Sequence, residues 1–240
     1  MTRTDVLRDL LDHGRDYDMP RLEQLAAALG LPVADVLVVA GHPVQGRLLP
    51  PDRDGDVVRA FAYRVTFCNH PQLAALREFL RALPDVGAAP ESRPARDLAD
   101  RDPFPAILQG LMDNRGFGVY EFPFVGLSRS TVVGMLRGKW HWLVQLHAVA
   151  GPLGWRVEDL AALAGEELQP FDHGPMLCHH VGAVFVAAVP RTTEQLVHTA
   201  READRLSARE DHGAWQPFSE GIDDCPDWPS GSWVRRLDRS

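Results

Sequence analysis

The sequence predicts a mostly α-helical protein, a helical bundle with an internal repeat and an additional helix near the C-terminus. Apolar residues recur at spacings of three and four along most of the chain, which is typical of one buried face of a helix. Short breaks that contain Gly and Pro separate these segments. Two of the segments also align with each other at a fixed offset, which predicts the repeat.

Leu and Val at helical spacing, or runs rich in Ala and Leu, predict four helices in the N-terminal part of the chain. These helices cover 4–13, 21–29, 33–40 and 71–83. The tripeptide Gly30-Leu31-Pro32 separates the second from the third, because glycine and proline end helices. The segment 57–67 is apolar and aromatic, a pattern that permits either a helix or a strand.

The C-terminal part of the chain carries a second series of helical segments. They cover 104–112, 128–137, 141–149, 157–164 and 192–209. Thr192 or Thr193 is a plausible N-cap for the last one. The apolar segment 178–189 is predicted to be a buried strand or a buried helix.

Composition divides the chain into four parts. Residues 85–102 are dense in Pro, Ala, Arg and Asp and have little to bury, so we expect a linker there. It separates an N-terminal helical domain, 1–84, from a second helical domain, 103–170. The last part, 171–240, holds a helix and a tail rich in Trp and Pro.

The predicted repeat has an offset of 124 residues, which aligns 22–41 with 146–165 without a gap. Gly30 falls on Gly154, where each first helix must stop and glycine can adopt the left-handed conformation. Asp35 falls on Asp159, in the first turn of each second helix, where a carboxylate suits the helix dipole. The alternative is two unrelated helix pairs of similar Ala/Leu composition.

Charge and cysteine content restrict the classes of protein. The chain has a net charge of −8 over 240 residues, so a protein that coats nucleic acid is disfavoured and any DNA contact needs a local basic face. The longest apolar run is too short to span a bilayer, and the N-terminus lacks the apolar core of a secretory signal. Three widely spaced cysteines fit a reducing compartment. We therefore expect a cytoplasmic protein with no membrane partner.

Residues 127–139 carry the most specific motif in the chain. They read Leu-Ser-Arg-Ser-Thr-Val-Val-Gly-Met-Leu-Arg-Gly-Lys, with a Ser after Gly-Leu, an aliphatic residue inside, and a final Gly followed by a basic residue. This segment resembles the third helix of the lambda-repressor/Cro-like helix-turn-helix family, also called the xenobiotic-response-element family. Residues 142–163 resemble the family's fourth and fifth helices, so the match covers about 104–165.

The resemblance implies a DNA-binding transcriptional regulator whose recognition helix spans about 128–138. Double-stranded DNA would be the partner, with a homodimer as the usual state of such repressors. Ser128 would cap the helix, Arg129, Ser130 and Val133 would face base edges, and Arg137 and Lys139 would reach phosphates. The family's second helix corresponds to 120–125, where Pro123 allows only a short helix that begins at that proline.

The helical pattern also admits a second function, a protein-binding adaptor with a degenerate helix-turn-helix fold. Exposed basic residues on a helix are often only a solvated surface, so Arg129, Arg137 and Lys139 do not by themselves decide between the two functions. The acidic net charge and the apolar segment 181–189 favour the adaptor.

No motif in the sequence supports an enzyme or a cofactor. Cys178-His179-His180 is the densest group of possible metal ligands, but adjacent residues diverge and cannot all reach one ion. Cys68 and His70 could join them only through tertiary folding, so a metal or redox sensor is the weakest alternative. We expect no catalytic residue, no cofactor and no bound metal.

Overall fold

A computed structural model describes residues 2–85, 92–98, 102–121, 126–139, 143–166 and 177–207. Within these ranges the chain forms eleven α-helices and, apart from a single antiparallel bridge between Val44 and Arg93, no β-structure. The helices are α1 (Arg3–His13), α2 (Met19–Leu29), α3 (Val33–Val39), α4 (Gly55–Val65), α5 (His70–Ala82), α6 (Phe104–Arg115), α7 (Arg129–Met135), α8 (Leu143–Leu153), α9 (Val157–Ala164), α10 (Leu177–Ala188) and α11 (Thr193–Ser207). The predicted fold class, mostly α-helical, is confirmed.

The two segments whose pattern permitted either a strand or a helix are both helical. They correspond to α4 and α10. α10 packs along α8 and α5, and its buried residues include Val184 and Phe185. An element covered on several sides has no polar face, so its sequence shows no clear helical period.

Side-chain caps set where several helices begin. Thr2 and Asp5 form a capping box at α1, and Asn69 and Gln72 form one at α5. At α11 the Thr192 hydroxyl accepts a hydrogen bond from the Gln195 backbone N–H at 3.4 Å. Each cap satisfies backbone donors that the first turn of a helix leaves unpaired.

The two segments aligned by the predicted repeat share one local geometry. α2 and α8 each end at a left-handed glycine, with φ of +60° at Gly30 and +67° at Gly154. The next residue donates its backbone N–H to the carbonyl of Ala26 or Ala150, at 3.0 and 2.9 Å. Because this helix–glycine–helix turn is common in helical proteins, the repeat itself stays a prediction.

The carboxylates at the aligned positions are both buried, and each binds an arginine from elsewhere in the chain. Arg115 at the end of α6 holds both oxygens of Asp35, at 2.6 and 2.5 Å, and also the carbonyl of Leu153. Arg3 holds both oxygens of Asp159, at 2.9 and 2.8 Å, and also the carbonyl of Leu29.

These two arginines make reciprocal contacts. Leu29 and Leu153 are aligned by the same offset of 124 that aligns Asp35 with Asp159. Each arginine therefore joins the carboxylate of one aligned segment to the helix end of the other segment.

One hydrophobic core joins helices from both sides of the predicted linker. α1 packs on α9, α3 on α6, α4 on α11, and α5 on α10 and α11. In the described part of the linker, 92–98, Arg93 bridges Val44 through its backbone and donates to the side chain of Asn114 at 3.1 Å. The segments predicted as two domains, 1–84 and 103–170, thus share their core.

Small residues allow α8 and α10 to approach each other closely. A Cβ on Gly182 of α10 would lie well inside contact distance of the Gly151 backbone in α8. No single described helix has the length and apolarity to cross a membrane, and α2 with α3 meets that criterion only as a pair bent by 113°.

Candidate nucleic-acid interface

The predicted recognition helix begins where the sequence places it. The Ser128 hydroxyl accepts a hydrogen bond from the Thr131 backbone N–H at 3.1 Å and so caps α7. The helix is shorter than expected, because it ends at Met135 and Gly138 adopts a left-handed φ of +67°. The Lys139 N–H then donates to the Gly134 carbonyl at 3.0 Å, which closes the last turn.

Burial separates the residues of α7 into two groups. Val132 and Met135 are fully buried, and Leu136 packs against the core from its edge. The predicted contact residues lie outside this core, with Val133 half-buried and Arg129, Ser130, Arg137 and Lys139 exposed. The helix is therefore anchored on one side, while Arg129 within it and Arg137 and Lys139 after it remain accessible.

The hydroxyl groups at the start of α7 already bind one another. Ser128 Oγ lies 2.8 Å from Ser130 Oγ and 2.8 Å from Thr131 Oγ1. This arrangement pre-positions Ser130 beside the cap, and a hydroxyl group can both donate and accept, so Ser130 keeps hydrogen-bonding capacity for a ligand.

The structure adds an aromatic residue that the sequence did not single out for this site. The Arg129 guanidinium lies over the Tyr120 ring, 4.5 Å from its centroid, and Arg59 of α4 lies 5.6 Å from the same centroid. Tyr120 is 47% exposed. Guanidinium groups over an aromatic face are attracted by its quadrupole, so Tyr120 orients Arg129 before any ligand binds.

Two charged side chains next to Tyr120 in sequence or near it in space, Glu121 and Arg53, are largely withdrawn from water and each is influenced by the charge of the other. Glu121 accepts a hydrogen bond from the Gly118 N–H at 2.6 Å, and burial raises the pKa of its carboxyl group. Arg53 donates to the carbonyl of Ala188 at 3.1 Å and to that of Arg115, and burial lowers its pKa to about 10. Arg53 thus connects the end of α6 to the end of α10.

An acidic residue from another segment lies near the basic end of the site. A Cβ on Gly138 would be 3.4 Å from the carboxylate of Asp102, whose other oxygen accepts from the Phe104 N–H at 3.1 Å. The segment 126–141 contains no acidic residue of its own. Asp102, which lies beside it in the fold, is acidic. Asp102 therefore reduces the positive potential around Arg137 and Lys139.

The segment predicted as the second helix of the motif is not helical where it is described. Tyr120 and Glu121 lie in a turn that is closed by the Glu121 N–H donating to the Gly118 carbonyl at 3.3 Å. The helix was expected to begin at Pro123, which lies outside the described residues, as does the rest of 122–125. α6 ends at Arg115, and its C-cap, Gly116, has a φ of +61°, which turns the chain away from the helix axis.

The possible metal ligands do not form a site within the described residues, where no group of three His, Cys, Asp or Glu side chains converges. The packing of α5 on α10 brings the rings of His70 and His180 to 4.5 Å between centroids. Cys68 is buried, and burial raises its thiol pKa to about 11. The side chains of Cys178 and His179 lie outside the part of the structure that is described.

No known protein family, curated protein or solved structure matches this chain. The geometry around α7 is thus the basis for a functional assignment.

Proposed function

We propose that this protein binds double-stranded DNA in a sequence-dependent way as a transcriptional regulator, with α7 as its recognition helix. The observation that carries the proposal is the division of α7 into a buried anchor, Val132 and Met135, and an exposed side that begins at Arg129. Arg137 and Lys139 are exposed directly after the helix. A helix of seven residues is about 10 Å long and fits within a major groove about 12 Å wide.

The side chains supply two kinds of contact. Arg129 can donate two hydrogen bonds to O6 and N7 of guanine, and Ser130 can bind a neighbouring base edge. Val133, half-buried, offers a methyl contact to thymine. Arg137 and Lys139 follow the helix and suit phosphates, which fix the register without reading sequence.

A selection from random duplexes at low salt tests the proposal. The full chain is expected to enrich one site, and a palindromic site would indicate that two copies bind together. Arg129→Ala should relax specificity at one base position at a cost of about 1–3 kcal/mol. Arg137→Ala and Lys139→Ala should instead weaken binding to all duplexes and lower the salt dependence.

Arg8→Ala is the matched control, since Arg8 is an exposed arginine on another helix, α1. Its removal changes the net charge as Arg129→Ala does and should leave the enriched site unchanged. If no site is enriched, or if Arg8→Ala and Arg129→Ala have equal effects, α7 is not a recognition helix.

The second candidate function, a protein-binding adaptor, is favoured by an exposed aromatic pair at the end of α4. Tyr63 and Phe67 are 50% and 49% exposed, and their rings stack edge to face at 4.8 Å. Exposed aromatic side chains are typical anchors of protein interfaces. This function requires that Arg129→Ala leaves partner binding intact while Tyr63→Ala abolishes it.

A further inference from the structure

The exposed aromatic residues of the described chain lie in one row with two arginines, which we call the aromatic–arginine stripe: Arg59, Tyr63, Phe67, Tyr120 and Arg129. Residues 59, 63 and 67 are spaced by four, so they follow one side of α4 and the turn after it over about 12 Å. Arg59 reaches the Tyr120 ring, and Tyr120 contacts Arg129 at the start of α7.

The described chain ends beside one end of this stripe. At the end of α11, Asp204 pairs with Arg64 of α4 at 2.9 Å, and the Leu206 carbonyl accepts from the Gln72 side chain at 3.0 Å. These contacts fix Ser207 close to the end of α4, where Phe67 lies. The segment 208–240 follows Ser207 directly in the sequence.

The sequence of that C-terminal segment complements the stripe. Between 210 and 228 it has six carboxylates and no Lys or Arg, and its aromatic residues include Trp215 and Trp228. The stripe presents aromatic rings at one end and the guanidinium groups of Arg59 and Arg129 at the other. Arg59 also pairs with the exposed Asp56, but Asp56 cannot satisfy all of its donors.

We propose that residues 210–228 dock on the aromatic–arginine stripe and cover Arg129, so that the acidic C-terminal segment competes with DNA for the recognition helix. Its tryptophans pack on Tyr63 and Phe67, and its carboxylates approach Arg59 and Arg129. The competition with DNA rests on the proposed function, whereas the docking does not.

The length of the C-terminal segment and its covalent attachment to α11 make the contact feasible. An extended chain advances about 3.3 Å per residue, so a segment that starts after Ser207 reaches past the stripe well before residue 228. A tethered segment also acts at an effective concentration of about 1 mM. With a dissociation constant of about 0.1 mM it would leave about a tenth of the chains open, which weakens DNA binding about tenfold.

Photocrosslinking in the full chain tests the docking without DNA. Tyr63→p-benzoylphenylalanine should crosslink to residues within 210–228 of the same molecule, and 1 M NaCl should reduce the yield because the carboxylate–arginine attraction is screened. The same photoreactive residue at Arg8 is the control and should not reach the segment. Crosslinks between two copies, or to other parts of the chain, would overturn the proposal.

Duplex affinity at low salt tests the competition. The full-length variant Asp223→Asn/Asp224→Asn/Asp227→Asn should bind DNA about tenfold more tightly than the unaltered chain. Asp12→Asn/Glu23→Gln/Asp52→Asn removes the same charge from exposed positions elsewhere and should gain much less. Equal gains in both variants would show a net-charge effect and overturn the competition.

The two measurements separate this inference from the proposed function. Crosslinking to 210–228 with no DNA binding by any variant would uphold the docking and reject the regulator. Sequence-dependent DNA binding without those crosslinks would uphold the regulator and reject the docking.

Discussion

At the scale of single residues, burial has the largest effect on the pKa of Glu121. Desolvation raises the pKa of its carboxyl group, while the hydrogen bond from Gly118 and the charges of Arg59 and Arg53 act in the opposite direction. In the unfolded chain the pKa is close to 4.5. The stability that this group contributes is therefore fully present below that pH and is lost as pH rises through the higher pKa of the folded state.

Glu121→Gln should remove this loss of stability at higher pH. The amide oxygen can still accept from the Gly118 N–H, but the variant carries no charge that must be buried. The free energy of unfolding of the variant should therefore become larger, relative to that of the unaltered chain, as pH rises from 4 to 7. Urea unfolding at several pH values measures it, and parallel pH curves for the two proteins would contradict the assignment.

Cys68 provides the second prediction at this scale. Burial raises its pKa from 9.0 to about 11, so at pH 8 the folded chain has about a hundredfold less thiolate than an exposed thiol. In a Cys178→Ser/Cys225→Ser chain, we expect thiol-directed reagents to modify Cys68 at least a hundredfold more slowly than in urea. Equal rates in both conditions would show that the thiol is accessible.

At the scale of helices, the sequence predicted most elements because their signals are local. The cap at Ser128 depends on a neighbour within one turn, and the apolar spacing around Val132 predicts its burial; both match the structure. The early end of α7 at Met135 was not predicted; the left-handed Gly138 turns the chain there, so that the Lys139 N–H donates to the Gly134 carbonyl. The helical state of α10 followed from its partners α5 and α8 rather than from its own pattern.

The crossing of α8 and α10 yields a prediction about an element. Gly182→Ala places a methyl group against the Gly151 backbone, which cannot shift as a flexible side chain would. Overpacking typically costs about 1–3 kcal/mol, and the gain in helix propensity from Gly to Ala, at most about 1 kcal/mol, offsets only part of it. We expect a net loss of about 1–2 kcal/mol in chemical denaturation.

Gly55→Ala is the control for this prediction. Gly55 lies in the first turn of α4, and a Cβ there would meet nothing within 4 Å. This variant should be neutral or slightly more stable than the unaltered chain. A Gly182→Ala variant as stable as Gly55→Ala would mean that the two helices do not approach as closely as the structure shows.

At the scale of the whole molecule, the residues that join distant segments were beyond sequence reasoning. The offset identified Asp35 and Asp159 as equivalent positions, but their arginines, Arg115 and Arg3, follow no common spacing. The contact of Tyr120 with Arg59 was missed for the same reason, since it joins segments far apart in sequence. Pairings of this kind depend on how helices pack, which local patterns do not encode.

The Arg115–Asp35 pair supplies the prediction for the whole molecule. Both side chains are almost fully buried, at 4% and 0% exposure, and Asp35 also accepts from the Trp155 indole at 2.8 Å. Arg115→Met leaves a buried carboxylate without its cation, which typically costs about 3–5 kcal/mol. Asp35→Asn added to that variant should recover part of the loss, because no buried charge then remains.

The Arg3–Asp159 pair provides the comparison for the Arg115–Asp35 pair. Arg3 is 29% exposed, so water replaces part of what Asp159 loses in Arg3→Met, and we expect a smaller cost than for Arg115→Met. Because the two segments share one core, each variant should still unfold in one transition, at a lower denaturant concentration. Separate transitions for the two halves would show that these pairs, and not the shared core, make the chain fold as one unit. Equal costs for both variants would contradict the argument from exposure.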